Sequence, residues 1–216
     1  MKSAAAIAIL MTSITLFSQD CSSYFFLQDN KTIEMAIING KGQESGRMIY
    51  KVSNANSSSS TVNSEFIDPN GKSITKSANN VKCVNGVMMM DMKMFVPSGQ
   101  EASGTATDVY LEYPGLMNVG DLLKDGQFNM DVEAGNGLKS NIDISITDRK
   151  VEAKEKVTTP AGTWECFKIT SKNKITSKMS GIGVPIRSDV TEWFAPGFGV
   201  VRTESKSGKT EITSIK

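Results

Sequence analysis

The stretch that decides the fold is Thr191-Glu-Trp-Phe-Ala-Pro-Gly-Phe-Gly-Val-Val-Arg-Thr-Glu-Ser205. Alternating apolar and polar residues flank Ala195-Pro-Gly197, and Lys206-Ser-Gly-Lys209 leads into a last short run. Proline and glycine favour a tight reversal, and a two-residue alternation is typical of a strand with one buried face. We therefore predict two antiparallel strands joined at this reversal and a third strand after them.

The same alternation recurs along most of the chain. The apolar residues of Phe128–Val132 and of Ile142–Ile146 alternate with polar ones, and Asn-Gly or Asp-Gly pairs separate many of the runs. These pairs suit hairpins because they tolerate positive φ. The best helical candidate is a turn or two around Leu116–Lys124. The predicted strands are 31–38, 46–54, 60–68, 73–82, 87–95, 106–113, 127–133, 139–148, 150–158, 163–178, 184–194, 199–206 and 209–215.

Many strands, short turns and the lack of a long helical period predict an all-β protein. Such a meander must curl to cover its apolar face, so we expect one curved antiparallel sheet that forms a barrel or a half-barrel. Roughly 200 residues fit a single domain of this class. We predict a single β-rich domain over residues 19–216.

The first residues have the pattern of a secretory signal peptide, which we predict over residues 1–18. Met1-Lys2 supplies a positive charge, and a mostly apolar run follows it as far as Phe17. The expected location is the periplasm or the extracellular space. Cys21 raises the alternative of a lipid anchor, but Asp20 stands before it where a lipoprotein signal requires a small residue.

The charge balance argues against nucleic acid and anionic membranes as partners. The chain has 24 basic and 23 acidic residues and a formal net charge of +1, with no basic run. We therefore expect neither nucleic acid nor an anionic membrane surface as a partner. No second apolar run is long enough for a transmembrane segment.

Three cysteines follow the predicted signal peptide: Cys21, Cys83 and Cys166. In an oxidising compartment two of them are candidates for a disulfide, and one is then left over. Three pairings are possible, and the sequence does not choose among them.

Two C-terminal motifs carry a resemblance to a known family. Thr159-Pro-Ala-Gly-Thr-Trp-Glu-Cys-Phe-Lys-Ile169 and Glu192-Trp-Phe-Ala-Pro-Gly-Phe-Gly-Val-Val-Arg-Thr-Glu204 resemble the TapB-like exported, β-rich bacterial proteins of unknown function. Val81-Lys-Cys83, Met90-Asp-Met92 and Val119-Gly-Asp-Leu122 extend the resemblance. It implies an envelope location and a curved antiparallel sheet akin to lipoprotein carriers. It carries over no catalytic residue.

The residue types give little support to an enzyme. The chain has no histidine, which removes Ser-His-Asp and Cys-His catalysis and the commonest zinc ligand. We expect no cofactor, no metal and a structural role for Cys166. A hydrolase with paired carboxylates is a remote alternative, and Glu152 with Glu155, or Glu192 with Glu204, are the candidate pairs.

The run Val87–Phe95 is rich in methionine. Met88, Met90, Met92 and Met94 fall on one face of the predicted strand, where they line a core or an apolar cavity. Thioether sulfur also suits Cu(I), so a copper site is a second, remote alternative.

The aromatic residues of the two motifs complete the candidate site. Trp164, Trp193 and Phe198 either close one end of the curved sheet or line an apolar pocket. With the four methionines they are the candidate ligand-binding residues.

The leading expectation is a non-enzymatic envelope protein that binds an apolar small molecule or lipid in the concavity of the sheet. The alternative is a structural or protein-interaction module with a filled core, whose partner is another envelope protein.

Overall fold

A computed structural model describes residues 21, 23–96, 101–102, 109–133, 139–179 and 182–216. The predicted signal peptide over 1–18 lies outside the described residues, as does the start of the strand predicted over 106–113.

The described residues form thirteen strands and two short 3₁₀ helices, Phe25–Leu27 and Met92–Phe95. The strands are β1 Thr32–Asn39, β2 Glu44–Ser53, β3 Ser59–Ile67, β4 Ser73–Val84, β5 Val87–Asp91, β6 Glu101–Ala102, β7 Tyr110–Pro114, β8 Gly126–Glu133, β9 Lys139–Thr159, β10 Gly162–Met179, β11 Ile182–Ala195, β12 Gly199–Ser205 and β13 Gly208–Ile215.

The strands form one antiparallel sheet in the order β6-β8-β9-β10-β11-β12-β13-β1-β2-β3-β4-β5-β7. Most neighbours in the sheet are consecutive in the chain, and the pairing of β13 with β1 joins the two halves. The predicted all-β class and the curved antiparallel sheet are confirmed: the sheet is nearly closed into a barrel.

The seam of the barrel is closed mainly by groups outside the regular strand ladders. The guanidinium of Arg149, on β9, donates from Nη1 to the carbonyl oxygens of Glu112 (2.9 Å) and Lys124 (2.8 Å). The backbone N–H of Leu123 donates to the carbonyl of Arg149 at 2.9 Å. These bonds hold β7 and the segment before β8 against the middle of β9.

A bulge in β9 places Arg149 at this seam. The register between β9 and β10 shifts between Thr170 and Lys172, and Asp148 has a φ of 53°. A bulge re-aims the side chain that follows it and bends the strand. Ile146 is buried before the bulge and Arg149 after it, so the two-residue alternation is broken at this point.

The interior is filled by side chains from nearly every strand. Phe194 of β11 stacks on Tyr113 of β7, with ring centroids 5.0 Å apart and an interplanar angle of 5°. The segment Tyr24–Leu27 is buried at one end of this core. A disulfide between Cys21 and Cys83 holds that segment to β4 across a sequence separation of 62 residues. Closing a loop of this length contributes about 4 kcal/mol in the chain-entropy account.

Four predicted elements are corrected by the structure. The strand predicted over 87–95 ends at Asp91, whose carboxylate accepts a hydrogen bond from the N–H of Lys93 (2.9 Å) and caps the second 3₁₀ helix. The strands predicted over 139–148 and 150–158 are one bulged strand, β9. The helical turn predicted around Leu116–Lys124 is wrong, because this segment forms turns and a bridge from Leu122 to Lys150.

The hairpin of β10 and β11 extends beyond the strands beside it. β11 pairs with β10 over residues 182–194 but with β12 only over residues 190–195. Within the part of the chain that the structure describes, Ile182–Asp189 therefore has a sheet edge without a paired neighbour.

Candidate functional site

The predicted methionines lie in the core. Met88, Met90 and Met92 are buried, and Met94 is half-buried on the 3₁₀ helix. Met92 and Met94 thus lie on the 3₁₀ helix and not on β5, which carries Met88 and Met90, and this corrects the prediction of one methionine face on a single strand. The methyl of Met88 lies 4.0 Å from the position of a Cβ on Gly199, whereas the sulfur of Met92 lies by Gly126. Met88 and Met92 therefore pack against different strands.

The predicted aromatic residues fall into two groups. Trp164 and Phe198 are in contact, with ring centroids 4.5 Å apart, and Phe198 also contacts Phe25 at 5.2 Å. These rings pack at the end that Tyr24–Leu27 fills. Trp193 precedes Phe194 on β11 and therefore faces the other side of the sheet.

Trp193 is buried by charged side chains. Its Nε1–H donates to the carboxylate of Glu155 at 2.6 Å. The Nζ of Lys168 and the Cζ of Arg202 lie 5.8 and 5.9 Å from the ring centroid, within the range of cation–π contacts. No ring contact joins Trp193 to Trp164 or Phe198 among the described residues.

Cys166 is a buried thiol outside the disulfide. Burial, and secondly the negative charge of Glu165, raise the pKa of this thiol to about 12. A nucleophilic cysteine needs a lowered pKa, so the surroundings of Cys166 fit a packing role.

Neither predicted pair of carboxylates faces a common space. In the register of β11 and β12, Glu192 lies opposite Thr203, and Glu204 lies opposite Thr191. Glu192 and Glu204 are therefore on opposite faces of the sheet. Of the other pair, Glu155 binds the Trp193 ring nitrogen and Glu152 pairs with Lys150 at 3.1 Å.

Sequence reasoning missed a buried polar cluster of Glu192, Tyr113 and Arg149. The Tyr113 hydroxyl donates to the Glu192 carboxylate at 3.1 Å. The Cζ of Arg149 lies 4.8 Å from the centroid of the Tyr113 ring. Arg149 and Glu192 are 1% and 7% exposed. The phenol thus lies between a buried cation and a buried carboxyl group.

Burial controls the protonation of this cluster. It raises the pKa of the Glu192 carboxyl above its ordinary value, while the charge of Arg149 and the hydrogen bond from Tyr113 act in the opposite direction. Burial, followed by the charge of Glu192, raises the pKa of Tyr113. The Nε and Nη2 of Arg149 have no hydrogen-bond partner among the described residues. The cluster joins side chains of β7, β9 and β11 in the interior of the barrel.

Exposed apolar side chains form a row on the β10–β11 hairpin. Ile182, Val184 and Ile186 alternate along β11 and are 80%, 78% and 70% exposed. Met179, opposite Ile182 on β10, is half exposed. We call Ile182, Val184 and Ile186 the apolar row.

The apolar row continues the inner face of the sheet. The register aligns Phe128, Ile144, Ile175 and Ile186 across β8, β9, β10 and β11. Phe128 and Ile144 are buried, Ile175 is half-buried and Ile186 is exposed. The apolar face that is buried on β8 and β9 is therefore exposed to solvent on β11, the strand with the unpaired edge.

Surface clefts beside the hairpin are polar. One of about 520 Å³ is lined mainly by polar and charged side chains, including Asp148, Lys172, Asp189 and Glu204. Lys172 and Asp148 form an ion pair of 2.7 Å in it. Such a lining does not suit an apolar ligand.

Residues 28–216 match the DUF3108-like family. The chain belongs to the DUF3108-like family. No curated protein matches this DUF3108-like protein.

Two crystal structures share its fold. A predicted lipoprotein from Parabacteroides distasonis is 20% identical, with a TM-score of 0.72 over 89% of this chain and 99% of that one. A predicted exported protein from Bacteroides fragilis with a YmcC-like fold is 23% identical, with a TM-score of 0.71 over 89% of this chain and 98% of that one. At these identities the likeness concerns the fold of this DUF3108-like protein.

Proposed function

We propose that this protein is a non-enzymatic interaction module of the bacterial envelope and that it binds another protein through the apolar row. The observation that carries the proposal is the exposure of Ile182, Val184 and Ile186 on a strand with an unpaired edge. A contiguous exposed apolar surface marks an interaction site. The unpaired backbone favours a protein as the partner because another chain provides matching donors and acceptors.

The filled interior supports this function. Met88 and Met92, two of the predicted ligand-binding residues, are fully buried in the core, and Tyr113 is fully buried beside them. The apolar row, which is open to a partner, lies outside the barrel.

The chemistry of the candidate catalytic groups supports a non-enzymatic role. The Cys166 thiol has its pKa raised to about 12 by burial, and Glu192 and Glu204 face opposite sides of the sheet. Neither arrangement provides an activated nucleophile or an acid–base pair.

The envelope location is supported by the predicted signal peptide and by the two structural neighbours, which are described as a lipoprotein and an exported protein. Cys21 forms a disulfide with Cys83, so its sulfur is not free for a lipid thioether. We therefore favour an exported protein without an anchor at Cys21, and TapB-like is the narrower family name that we propose. No helix among the described residues is long and apolar enough to cross a membrane.

Cross-linking in the cell that makes the protein tests the proposal. A photoreactive amino acid replaces Val184 in the apolar row, and a matched variant carries it at Lys72, an exposed position before β4. We expect a discrete adduct with one other polypeptide at position 184 and none at 72. The same pattern at both positions, or no polypeptide adduct at 184, would contradict the proposal.

An apolar small molecule or lipid is the second candidate function. The aligned row from Phe128 to Ile186 favours it, because an acyl chain could lie along the exposed end of that row. Displacement of a fluorescent fatty acid tests it. Saturable binding that is lost in an Ile186→Asp variant would support this candidate over a protein partner.

A further inference from the structure

The unpaired edge of β11 offers backbone hydrogen-bonding groups over Ile182–Asp189. Pro185 lies in the middle of this stretch and has no N–H to donate. Proline is tolerated in a sheet where its nitrogen faces away from the paired neighbour, which here is β10. By alternation, the N–H groups of Gly183, Arg187 and Asp189 also face the open side.

Basic side chains line the outer face at this edge. Lys174 and Arg187 lie directly opposite each other on β10 and β11. Like charges in such a pair are destabilising, and no ion pair neutralises either of them among the described residues. The Cγ of Lys178 lies 2.6 Å from the position of a Cβ on Gly183, so the lysine stem lies over that glycine.

We propose that a partner protein adds an extended strand to the free edge of β11 and that this strand alternates apolar with acidic residues. The inference rests on the proposed function, since it specifies how the apolar row is covered. Main-chain bonds to the edge provide affinity, and side chains on the two faces provide specificity.

The two faces define the sequence pattern of the added strand. Residues opposite Ile182, Val184 and Ile186 are apolar, because their side chains lie on the same face as the apolar row. Residues opposite Gly183 and Arg187 are acidic, because Lys178 and Arg187 lie on the outer face there. These two positions are separated by about 13 Å, at about 3.3 Å per residue.

A strand fits this edge better than a membrane or a second copy. Inserting the edge of β11 into lipid would leave its backbone N–H and C=O groups unpaired, which a membrane does not tolerate. Lys174, Lys178 and Arg187 outnumber Asp189 on the outer face of the stretch. An acidic segment therefore complements this face better than the same face of a second copy.

A pair of peptides tests the inference on the wild-type protein. The first is Thr-Val-Glu-Val-Thr-Val-Glu-Val-Thr, and the matched control carries Lys in place of both Glu. We expect the Glu peptide to bind about tenfold more tightly, because two surface charge contacts change from repulsion to attraction. Binding should slow amide hydrogen exchange at Gly183 and Arg187, measured by NMR.

The protein variant Lys178→Glu with Arg187→Glu reverses the charges at the edge. We expect it to prefer the Lys peptide by about the same factor. Equal binding of the two peptides, or binding that leaves the amides of Gly183 and Arg187 unprotected, would overturn the inference. Binding to vesicles of anionic phospholipid, or self-association that protects the same amides, would overturn it in favour of those partners.

The peptide experiment and the cross-linking experiment can fail independently, so strand addition and the docking function are tested separately. If Val184 cross-links to a polypeptide in the cell but no amide of the edge is protected by the Glu peptide, strand addition is wrong and the docking function stands. If neither is observed, both are wrong.

Discussion

Glu192 is an ionisable residue whose side chain is buried inside the barrel. Its side chain lies on the same face as Phe194, so the alternation in β11 already points it inward. The hydroxyl of Tyr113 satisfies the carboxyl group, and burial raises its pKa. A carboxyl group of this kind reduces stability at the pH values where it must ionise.

The change Glu192→Gln is expected to stabilise the protein as pH rises. Because the folded-state pKa is raised, the unfolded chain releases its proton first, and the wild type loses stability between its unfolded and folded pKa values. Gln keeps an acceptor for Tyr113 and has no charge. Below pH 4 the two proteins should differ little, and at pH 7 the variant should be the more stable in urea unfolding.

The surface variant Glu204→Gln is the control for this measurement. It should show no such pH-dependent gain, since Glu204 lies on the outer face. A Glu192→Gln variant that loses stability relative to wild type as pH rises would show that the carboxylate is stabilised in the fold.

Cys166 should resist thiol reagents in the folded protein. With a pKa of about 12, only about one thiol in ten thousand is ionised at pH 8, and the side chain is buried as well. We expect labelling by a maleimide only after unfolding, measured by mass spectrometry. Rapid labelling of the native protein would contradict the burial of this thiol.

The polar cluster was predictable only in part. Alternation from Phe194 points Glu192 inward, but nothing local in the sequence shows that Tyr113 meets it from β7. Arg149 stands in Asp148-Arg-Lys150, which resembles a charged turn between two strands. The bulge that turns Arg149 inward depends on the tertiary packing of the seam. It cannot be recognised from the alternation of apolar and polar residues in the sequence.

At the scale of elements, the strands and their order along the chain were predictable from alternation and turn residues. The run Val87–Phe95 is the instructive failure. Its alternation continues past Asp91, but the side chain of Asp91 binds the N–H of Lys93 and starts a 3₁₀ helix. A local side-chain bond competed successfully with the strand ladder, as aspartate often does.

The exposed apolar row was not identified from the sequence. Ile182, Val184 and Ile186 alternate just as buried residues do, and the alternation does not show whether a neighbouring element covers the face. Their exposure follows from the length of β10 and β11 relative to β12.

Replacing the apolar row should cost little stability. The triple change Ile182→Ser, Val184→Ser and Ile186→Ser removes exposed side chains, so we expect a loss within about 0.5 kcal/mol for each site. The control Ile144→Ala removes a buried side chain of the same inner face and should cost about 3 kcal/mol. Urea unfolding measures both. A triple variant as unstable as the control would mean that the row serves folding and not binding.

At the scale of the whole molecule, Arg149 closes the barrel. It binds carbonyl groups of Glu112 and Lys124, and so holds β7 and the segment before β8 to β9. Curvature and closure could be expected from many strands that share one apolar face, but the seam could not. It is made by a side chain and by loop backbone groups that have no repeating pattern.

The change Arg149→Met is expected to lower the free energy of unfolding by about 3 kcal/mol, because two hydrogen bonds to a buried charged group are lost. The control Arg187→Met lies on the exposed hairpin and should change it by less than about 0.5 kcal/mol. Equal effects of the two changes in urea unfolding would contradict the role of Arg149 at the seam.

Native mass spectrometry most directly tests the claim that the hairpin surface, and not the barrel interior, is the binding site. The protein is purified from its own host in wild-type form and as the triple serine variant of Ile182, Val184 and Ile186. We predict that the wild type carries a second polypeptide, and that the variant, equally folded, carries none. Lipid-sized mass additions on both proteins, with no bound polypeptide, would contradict the claim and place the ligand inside the barrel.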